Sequence, residues 1–517
     1  MHRADATERL DCAHEARSST SAAARAQGVP RSTLRGWDAR RVRDPDRPVT
    51  AHFFETPEGL VVLHRIVLAA QLVFGLMGGA GAGLVQHFLV LAGLAPWVAC
   101  SERTLDRSMA RMVAEVGAWG DATRTQMARD MPLRTIAVAL DETWKRGMIL
   151  VAMDVRSGFL LAEVHSLTRD ALAWKTAMDA AFKGLRVRVV HAVADEAQGI
   201  KTYVTTTLGV LKGADLFHGL YELGPVQRAL EAKERQAATA LQETRTAQVQ
   251  ARGTPDHGAA VRAHDEARAH ARRLHERIET VADCVRGVSA AFHPVDLATG
   301  ALVSAAAVRA RLEQRLARIT HAVEASSLRD SMCQRVAKVT RLVPTWEASV
   351  AWWHRQLERG LAALKLPAAL VPIVREIVVP LAYLEQVARR TRAATARAEL
   401  KGVCTTLRTR LDAERGWTVL PAEERTRLER WAQAMASWFV RASSCVEGRN
   451  GVLALRYHHH HTIPPPVLKA LTVVHNFVIL RDDGTTAAER FFGSKPGDLF
   501  EHLVAVLPWP PRPRRRN

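Results

Sequence analysis

Residues 186–223, RVRVVHAVADEAQGIKTYVTTTLGVLKGADLFHGLYEL, constrain the fold more than any other stretch of the chain. RVRVVHAVA is short, apolar and β-branched, the composition of a parallel strand buried on both faces. It ends on Asp195 and Glu196, and the carboxyl ends of strands are where open α/β sheets place their functional groups. A helix is expected next, followed by a second strand that closes on Ala214-Asp215-Leu216-Phe217-His218. Taken alone, this is an α/β unit with a solvated Asp at a strand end; the residues before it add the rest.

From Arg134 the pattern becomes that of strands. Thr135 to Leu140 reads as a buried strand ending on Asp141, Met148 to Met153 as a second, and Phe159 to Val164 as a third after an Arg156-Ser157-Gly158 turn. Asp170 to Phe182 has the spacing of an amphipathic helix, and Val187 to Ala194 is the fourth strand. The expected order is βββαβαβ, with carboxylates closing the first and fourth strands.

Residues 224–440 carry almost no strand pattern and are dominated by Ala, Arg, Glu and Gln. Residues 229–251 and 259–281 flank Gly253-Thr254-Pro255-Asp256-His257-Gly258 and predict an antiparallel helical hairpin. Further helices are expected over 303–323, 346–364 and 423–442. Trp346, Trp352, Trp353, Trp417, Trp431 and Trp438 fall in this region; most are expected in helix-packing core, with one or two able to stack on an unpaired base. After it comes Ser443-Ser444-Cys445-Val446-Glu447-Gly448-Arg449-Asn450-Gly451, which offers Glu447 as an acid. The alternative is a helix-terminal Glu before a Gly stop.

At the amino end, Thr20-Ser21 are positioned to cap a short helix, Gly28-Val29-Pro30 breaks it, and Arg31-Ser32-Thr33-Leu34-Arg35-Gly36-Trp37 starts another. This is the pattern of a helix-turn-helix, with Arg31, Ser32, Thr33 and Arg35 near the end that contacts a DNA groove and Leu34 and Trp37 facing the core. A plain helical hairpin has the same pattern. Leu84 to Ala92, Gly93 and Cys100 to Arg107 echo it, with Ser101 as N-cap and structural packing as the expected role.

The net charge of +19 points to a polyanionic partner, with nucleic acid ahead of a membrane surface. The six cysteines are dispersed and form no CxxC pair, which argues against a zinc ribbon or a disulfide framework and suits a reducing cytosol. The first residues, charged from Arg3 onward, do not resemble a signal peptide. Ile66 to Val85 is uncharged and long enough to span a bilayer, but Gly78, Gly79, Gly81 and Gly83 make two buried helices joined by a Gly-rich turn the better expectation, so no membrane partner is expected. Tyr457-His458-His459-His460-His461 is expected as a basic loop facing DNA, since consecutive His side chains diverge and make a poor closed metal site. The tail 508–517 is extended by its prolines and offers Arg512, Arg514, Arg515 and Arg516 to phosphates.

The strand order and the acids resemble the ribonuclease-H-like catalytic core of DDE transposases from bacterial insertion sequences. The resemblance implies an α+β, mixed fold: a mixed sheet interrupted by a large all-α insertion and preceded by a helix-turn-helix region. It implies that the first and fourth strands lie side by side, bringing Asp141 to Asp195, and that a third acid follows the insertion. Glu447 fits, because Glu-Gly-x-Asn resembles a segment of several such transposases; Arg449 and Asn450 would then meet DNA, and Glu196 and Glu489 are the substitutes for Glu447. Asp215-x-x-His218 resembles the Cys/Asp-x-x-His motif of hAT and Mutator types and would support the site. The implied activity is strand cleavage and strand transfer at transposon ends, with two Mg2+ or Mn2+ ions held by Asp141, Asp195 and Glu447. The implied partners are DNA ends, target DNA and further copies of the chain, as a dimer or larger, in a bacterial cytoplasm at the nucleoid. A ribonuclease-H-like nuclease without strand transfer, or an inactive DNA-binding protein, are the alternatives. The expected segments are 1–47 helix-turn-helix, 48–130 helical linker or second DNA-binding region, 131–223 first core part, 224–440 insertion, 441–495 second core part and 496–517 basic tail.

Overall fold

A computed structural model describes residues 19–26, 28, 30–35, 53–54, 56–144 and 147–513. The chain forms two compact units, Met1–Asp130 with Leu453–Asn517, and Met131–Val452. The expected segment 441–495 is therefore divided between them, because the helix that carries Glu447 runs on without a break from Ser444 to His460.

In the unit formed by the chain ends, Thr56 caps the helix Pro57–Ala70 by accepting from the Gly59 N–H at 3.0 Å, with Pro57 in the first turn where its missing N–H costs nothing. The helix continues as a π-helical segment, Gln71–Met77, and a turn with Gly79 at φ +73° leads to the helix Ala82–Leu91. The two helices and Gly-rich turn expected from the sequence are present. Pro57–Met77 is long and apolar enough to cross a membrane. Two buried polar side chains on it bond to protein: His64 Nε2 contacts the Val504 carbonyl at 3.2 Å, its Nδ1 being buried without a partner, and Gln71 donates to the Leu105 carbonyl at 3.2 Å. The helix begun near Cys100 is much longer than expected, running over Glu102–Asp130 for 29 residues. The helix Pro465–Phe477 lies so close to it at Gly120 that a Cβ there would meet the Val473 side chain at 2.2 Å.

The second unit is mixed α/β. Its five-stranded sheet has the order β3-β2-β1-β4-β5, with β1 Arg134–Trp144, β2 Met148–Asp154, β3 Leu160–Ser166, β4 Val187–Ala194 and β5 Leu211–Ala214. β1, β2 and β3 are antiparallel neighbours, whereas β1–β4 and β4–β5 are parallel. Every residue of β2 is buried, which explains its unbroken apolar run. The β2–β3 turn is closed by Asp154, whose Oδ2 accepts from the Ser157 N–H at 2.9 Å, and by Gly158 at φ +74°. One correction concerns β1: it does not end at Asp141 but runs to Trp144, because its hairpin with β2 continues after its parallel partner β4 has stopped.

Helices cover both faces of the sheet. On one, the helix Ala171–Phe182, capped by Asp170, buries Trp174 and Met178 completely. On the other, Val343–Leu364 places Trp346, whose indole N–H donates to the Ala214 carbonyl at 3.1 Å and so fixes the end of β5. The expected hairpin is formed by two 35-residue helices, Leu216–Gln250 and His257–Ala291. The first begins directly after β5, so the expected boundary at 223 falls inside a helix. Trp346, Trp352, Trp353 and Trp417 are buried, as core tryptophans should be.

His191, in β4, is buried against Trp352 with ring centroids 4.7 Å apart, and neither ring nitrogen has a hydrogen-bond partner. Burial pushes its pKa down to about 4. A base depressed in the folded state must take up a proton on unfolding below its ordinary value near 6.5. Its contribution is therefore intact above about pH 6.5 and is lost as pH falls towards 4. At pH 5 this amounts to about 2 kcal/mol. His191→Phe keeps the ring stack and is expected to narrow the gap between melting temperatures at pH 7 and pH 5. An unchanged gap would show that the imidazole is not held neutral.

Candidate active site

Three aspartates lie side by side on three adjacent parallel strands, Asp195 and Asp215 just past the ends of β4 and β5 and Asp141 within β1 where its parallel pairing stops. The pairing Leu140↔Ala194 joins β1 to β4, and Ala194↔Ala214 joins β4 to β5. The next residue on each strand is Asp141, Asp195 and Asp215. The sheet thus aligns them in one row at its carboxyl edge, although they are spread over 75 positions of sequence. Asp141 was expected beside Asp195; that Asp215 continues the row was not evident from its motif.

The helix Ser444–His460 supplies the remaining groups. Glu447 lies in its first turn and Gly448 in its interior, so Gly448 does not stop a helix. Asn450 Nδ2 donates to Asp141 Oδ2 at 2.8 Å, while Asp141 Oδ1 accepts from the Glu142 N–H at 2.8 Å. Arg449 is 6% exposed and makes a two-pronged ion pair with Glu163 of β3, at 2.7 and 2.8 Å. The cross-strand pairs Asp141↔Val151 and Val151↔Glu163 put Asp141 and Glu163 on the same sheet face. The helix is therefore held over that face by Arg449 on β3 and Asn450 on β1, which sets the register of Glu447. This corrects the expectation that Arg449 and Asn450 contact DNA: the Arg449 guanidinium is committed to a buried carboxylate, and the Asn450 amide N–H to Asp141.

Asp215 caps the helix Leu216–Gln250 by accepting from the Phe217 N–H at 2.7 Å. Its other oxygen accepts from the Ser443 N–H at 3.1 Å, from the Ser443 hydroxyl, and faces His218 Nδ1 at 3.2 Å. These bonds tie β5 to the start of the Glu447 helix. Glu447 Oε1 lies 3.8 Å from His218 Nδ1 and is a buried oxygen without a hydrogen-bond partner. Ligand atoms of Asp215, His218 and Glu447 all lie within 4.8 Å of one another. Of the substitutes for the third acid, Glu196 accepts from Lys212 Nζ at 2.6 Å, and Glu489 lies in the short helix Ala487–Phe492 of the unit formed by the chain ends.

The electrostatics follow from crowding acids in a half-buried place. Burial, reinforced by the neighbouring Asp195, raises Asp141 to about 6. Burial and the Asp215 charge raise Glu447 to about 7. Asp215 is pushed up by burial, but the bonds from His218 and Ser443 outweigh this and hold it below its ordinary value. Its hydrogen bond to Asp215 raises His218 to about 9, so His218 is a cation at neutral pH. One imidazolium thus faces four carboxyl groups. Asp215, His218 and Glu447 are the residues that could together offer ligand atoms to a cation, and crowding raises the pKa of Asp141 and Glu447. Asn450 orients Asp141; if a divalent cation is held there, Asn450→Ala is expected to weaken its affinity about 10- to 100-fold. Metal titration checks this; an unchanged affinity would make the bond incidental.

Other site residues expected from the sequence are reported as placed. Residues 31–35 form a helical turn after Gly28 at φ +63°, with Arg31, Ser32 and Arg35 exposed, Thr33 partly exposed and Leu34 buried; Trp37 lies outside the described residues. Ser19, not Thr20 or Ser21, caps the helix Thr20–Ala26, accepting from the Ala22 N–H at 3.3 Å. The histidine run is not a loop: His458, His459 and His460 continue the helix, and His461 ends it at φ +57°. The tail packs through Trp509, stacked on His64 at 4.9 Å, and Arg514, Arg515 and Arg516 lie outside the described residues.

Among known proteins, residues 374–517 match a family of unknown function, DUF6399. The matched part includes Glu447, Arg449 and Asn450 but none of the three aspartates. No curated protein matches the chain.

Proposed function

We propose that this chain is a DDE-type DNA transposase with a ribonuclease-H-like core, which cuts DNA at the ends of an insertion sequence and joins it to a target. One observation carries this reading: Asp141 and Asp195 lie side by side on adjacent parallel strands, and the helix that carries Glu447 bonds to Asp141 through Asn450. The sheet order and the alternation of antiparallel and parallel pairs are those expected for that core and support it.

In this reading Asp141 and Asp195 hold the shared side of a two-metal centre and Glu447 completes one half. Bound Mg2+ or Mn2+ would activate the attacking oxygen and stabilise the leaving oxygen of an in-line displacement. Asn450 holds the Asp141 carboxylate in position. Protonated His218 offsets part of the repulsion among Asp215, Asp141 and Glu447. No side chain attacks DNA: water is the nucleophile for cleavage and a 3′-hydroxyl for joining. The charge of +19 suits a long DNA footprint, and Arg31, Ser32, Thr33 and Arg35 are the proposed end-reading residues. Assembly of two or more copies on paired ends, in a bacterial cytoplasm, belongs to the same proposal.

Calorimetric titration of the full chain with Mn2+ tests the metal centre. The expected result is saturable binding that Asp195→Asn weakens strongly in folded protein. No binding by the wild type, or equal binding by the variant, would sink the proposal.

A further inference from the structure

At the opposite end of β4 and β5 from the acids lies an open cleft of about 840 Å³. Its floor includes Arg188, Val189 and Val190 at the start of β4 and Gly209 to Leu211 at the start of β5. Val190 lies five residues before Asp195 on β4 and Leu211 four residues before Asp215 on β5, so at about 3.3 Å per residue the cleft floor is about 17 Å and about 13 Å from these acids. It is therefore separate from the site already described, and it does not rest on the cleavage reading.

Aromatic rings line one side. His191, Trp352 and Trp438 form a column, with centroids 4.7 Å and 6.1 Å apart and planes inclined by 26° and 22°. The column starts in the sheet at buried His191 and ends in the cleft at the partly exposed Trp438. Trp431 also lines the cleft, and a Cβ on Gly360 would meet its ring at 2.8 Å. Only glycine at 360 lets the Trp431 ring lie this close to the helix Val343–Leu364.

Positive charge lines the rim. Arg355 and Arg359, four apart on that helix, share its cleft-facing side, and Arg156 and Arg188 approach from the sheet. All four are exposed, none forms an ion pair with a carboxylate among the described residues, and no Asp or Glu lines the cleft. Other arginines of the helical region are neutralised, as Arg375 is by Glu358 and Arg408 by Glu385 and Glu429. Flat aromatic faces beside uncompensated guanidinium groups match a ligand with flat rings and negative charge at short, regular spacing. We infer that this cleft binds an unpaired polynucleotide strand, with a base against the tryptophans and flanking phosphates on the arginines. A duplex keeps its bases stacked inside and cannot use the aromatic wall.

The test uses full-length protein in EDTA, which prevents metal-dependent cutting, and a fluorescein-labelled, mixed-sequence 15-nucleotide DNA strand. Its duplex form and polyglutamate are the comparison ligands. Trp438→Ala is expected to weaken single-strand binding about 10- to 100-fold, with Trp438→Phe restoring most of it. Arg355→Gln combined with Arg359→Gln changes exposed side chains only, so folding is not at issue. It is expected to lower the slope of log affinity against log salt by about 1.4. Duplex binding should change in none of these variants. Single-strand affinity and salt slope that are unchanged in the arginine variant would overturn the inference. So would polyglutamate displacing the strand at equal charge concentration, which would reassign the cleft to an acidic peptide.

Discussion

Asp141→Asn, Asp195→Asn and Glu447→Gln should each slow metal-dependent DNA cleavage by about 10³-fold or more while leaving DNA binding intact. The magnitude is that of removing one member of a preorganised charged centre in a water-poor site. Each substitution is nearly isosteric, and each removes a negative charge from a cluster whose members repel one another. The folded apoprotein should therefore melt no lower than the wild type. That combination, a stable fold without cutting, separates a metal-binding role from a structural one. Asp215→Asn should behave differently. Asp215 accepts from Ser443 and from the Phe217 N–H and faces His218, so its loss loosens the start of the Glu447 helix and should lower both stability and cleavage. Cleavage assays run beside thermal melts check both statements. Normal cutting by Glu447→Gln would place the third acid elsewhere.

The second large effect concerns stability. Arg449→Ala leaves the Glu163 carboxylate buried without its partner, which typically costs about 3–5 kcal/mol. Arg449→Lys should recover little, because an ammonium cannot match both carboxylate oxygens with a planar fork. The pair Glu163→Gln with Arg449→Met should recover much of the loss, since a neutral pair of similar volume avoids the stranded charge. Denaturant melts of the wild type, Glu163→Gln, Arg449→Met and the double variant supply the coupling energy. The same variants distinguish an anchor from a phosphate contact: Arg449→Ala should leave the salt slope of duplex binding unchanged, whereas a lost phosphate contact lowers it by about 0.9.

Much of the sheet was legible because β2 is buried throughout, and β1 over most of its length, so they read as apolar runs, and β4 keeps a buried apolar carboxyl half. Asp141 and Asp195 were found from strand ends, although β1 outlasts its parallel partner and Asp141 is not terminal. Asp215 was legible as a motif but not as the third acid in a row, because strand register is set by pairing between distant segments rather than by local pattern. Arg449 and Asn450 misled for a related reason. Polar residues after a glycine look like an exposed loop, and only the packed helix reveals that one meets Glu163 and the other Asp141. The histidine run was misread as a loop because its diverging side chains argue against a metal site without arguing against a helix. The basic aromatic cleft left no continuous trace, since its arginines come from the β2–β3 turn, β4 and one later helix.

Incubating the wild-type chain with DNA that carries the sequences flanking its own coding region, with and without Mn2+, tests the central claim most directly. Metal-dependent cuts at defined positions, leaving 3′-hydroxyl ends that then join a second DNA, are the predicted result. Stable binding to that DNA with no cutting under any divalent cation would contradict it.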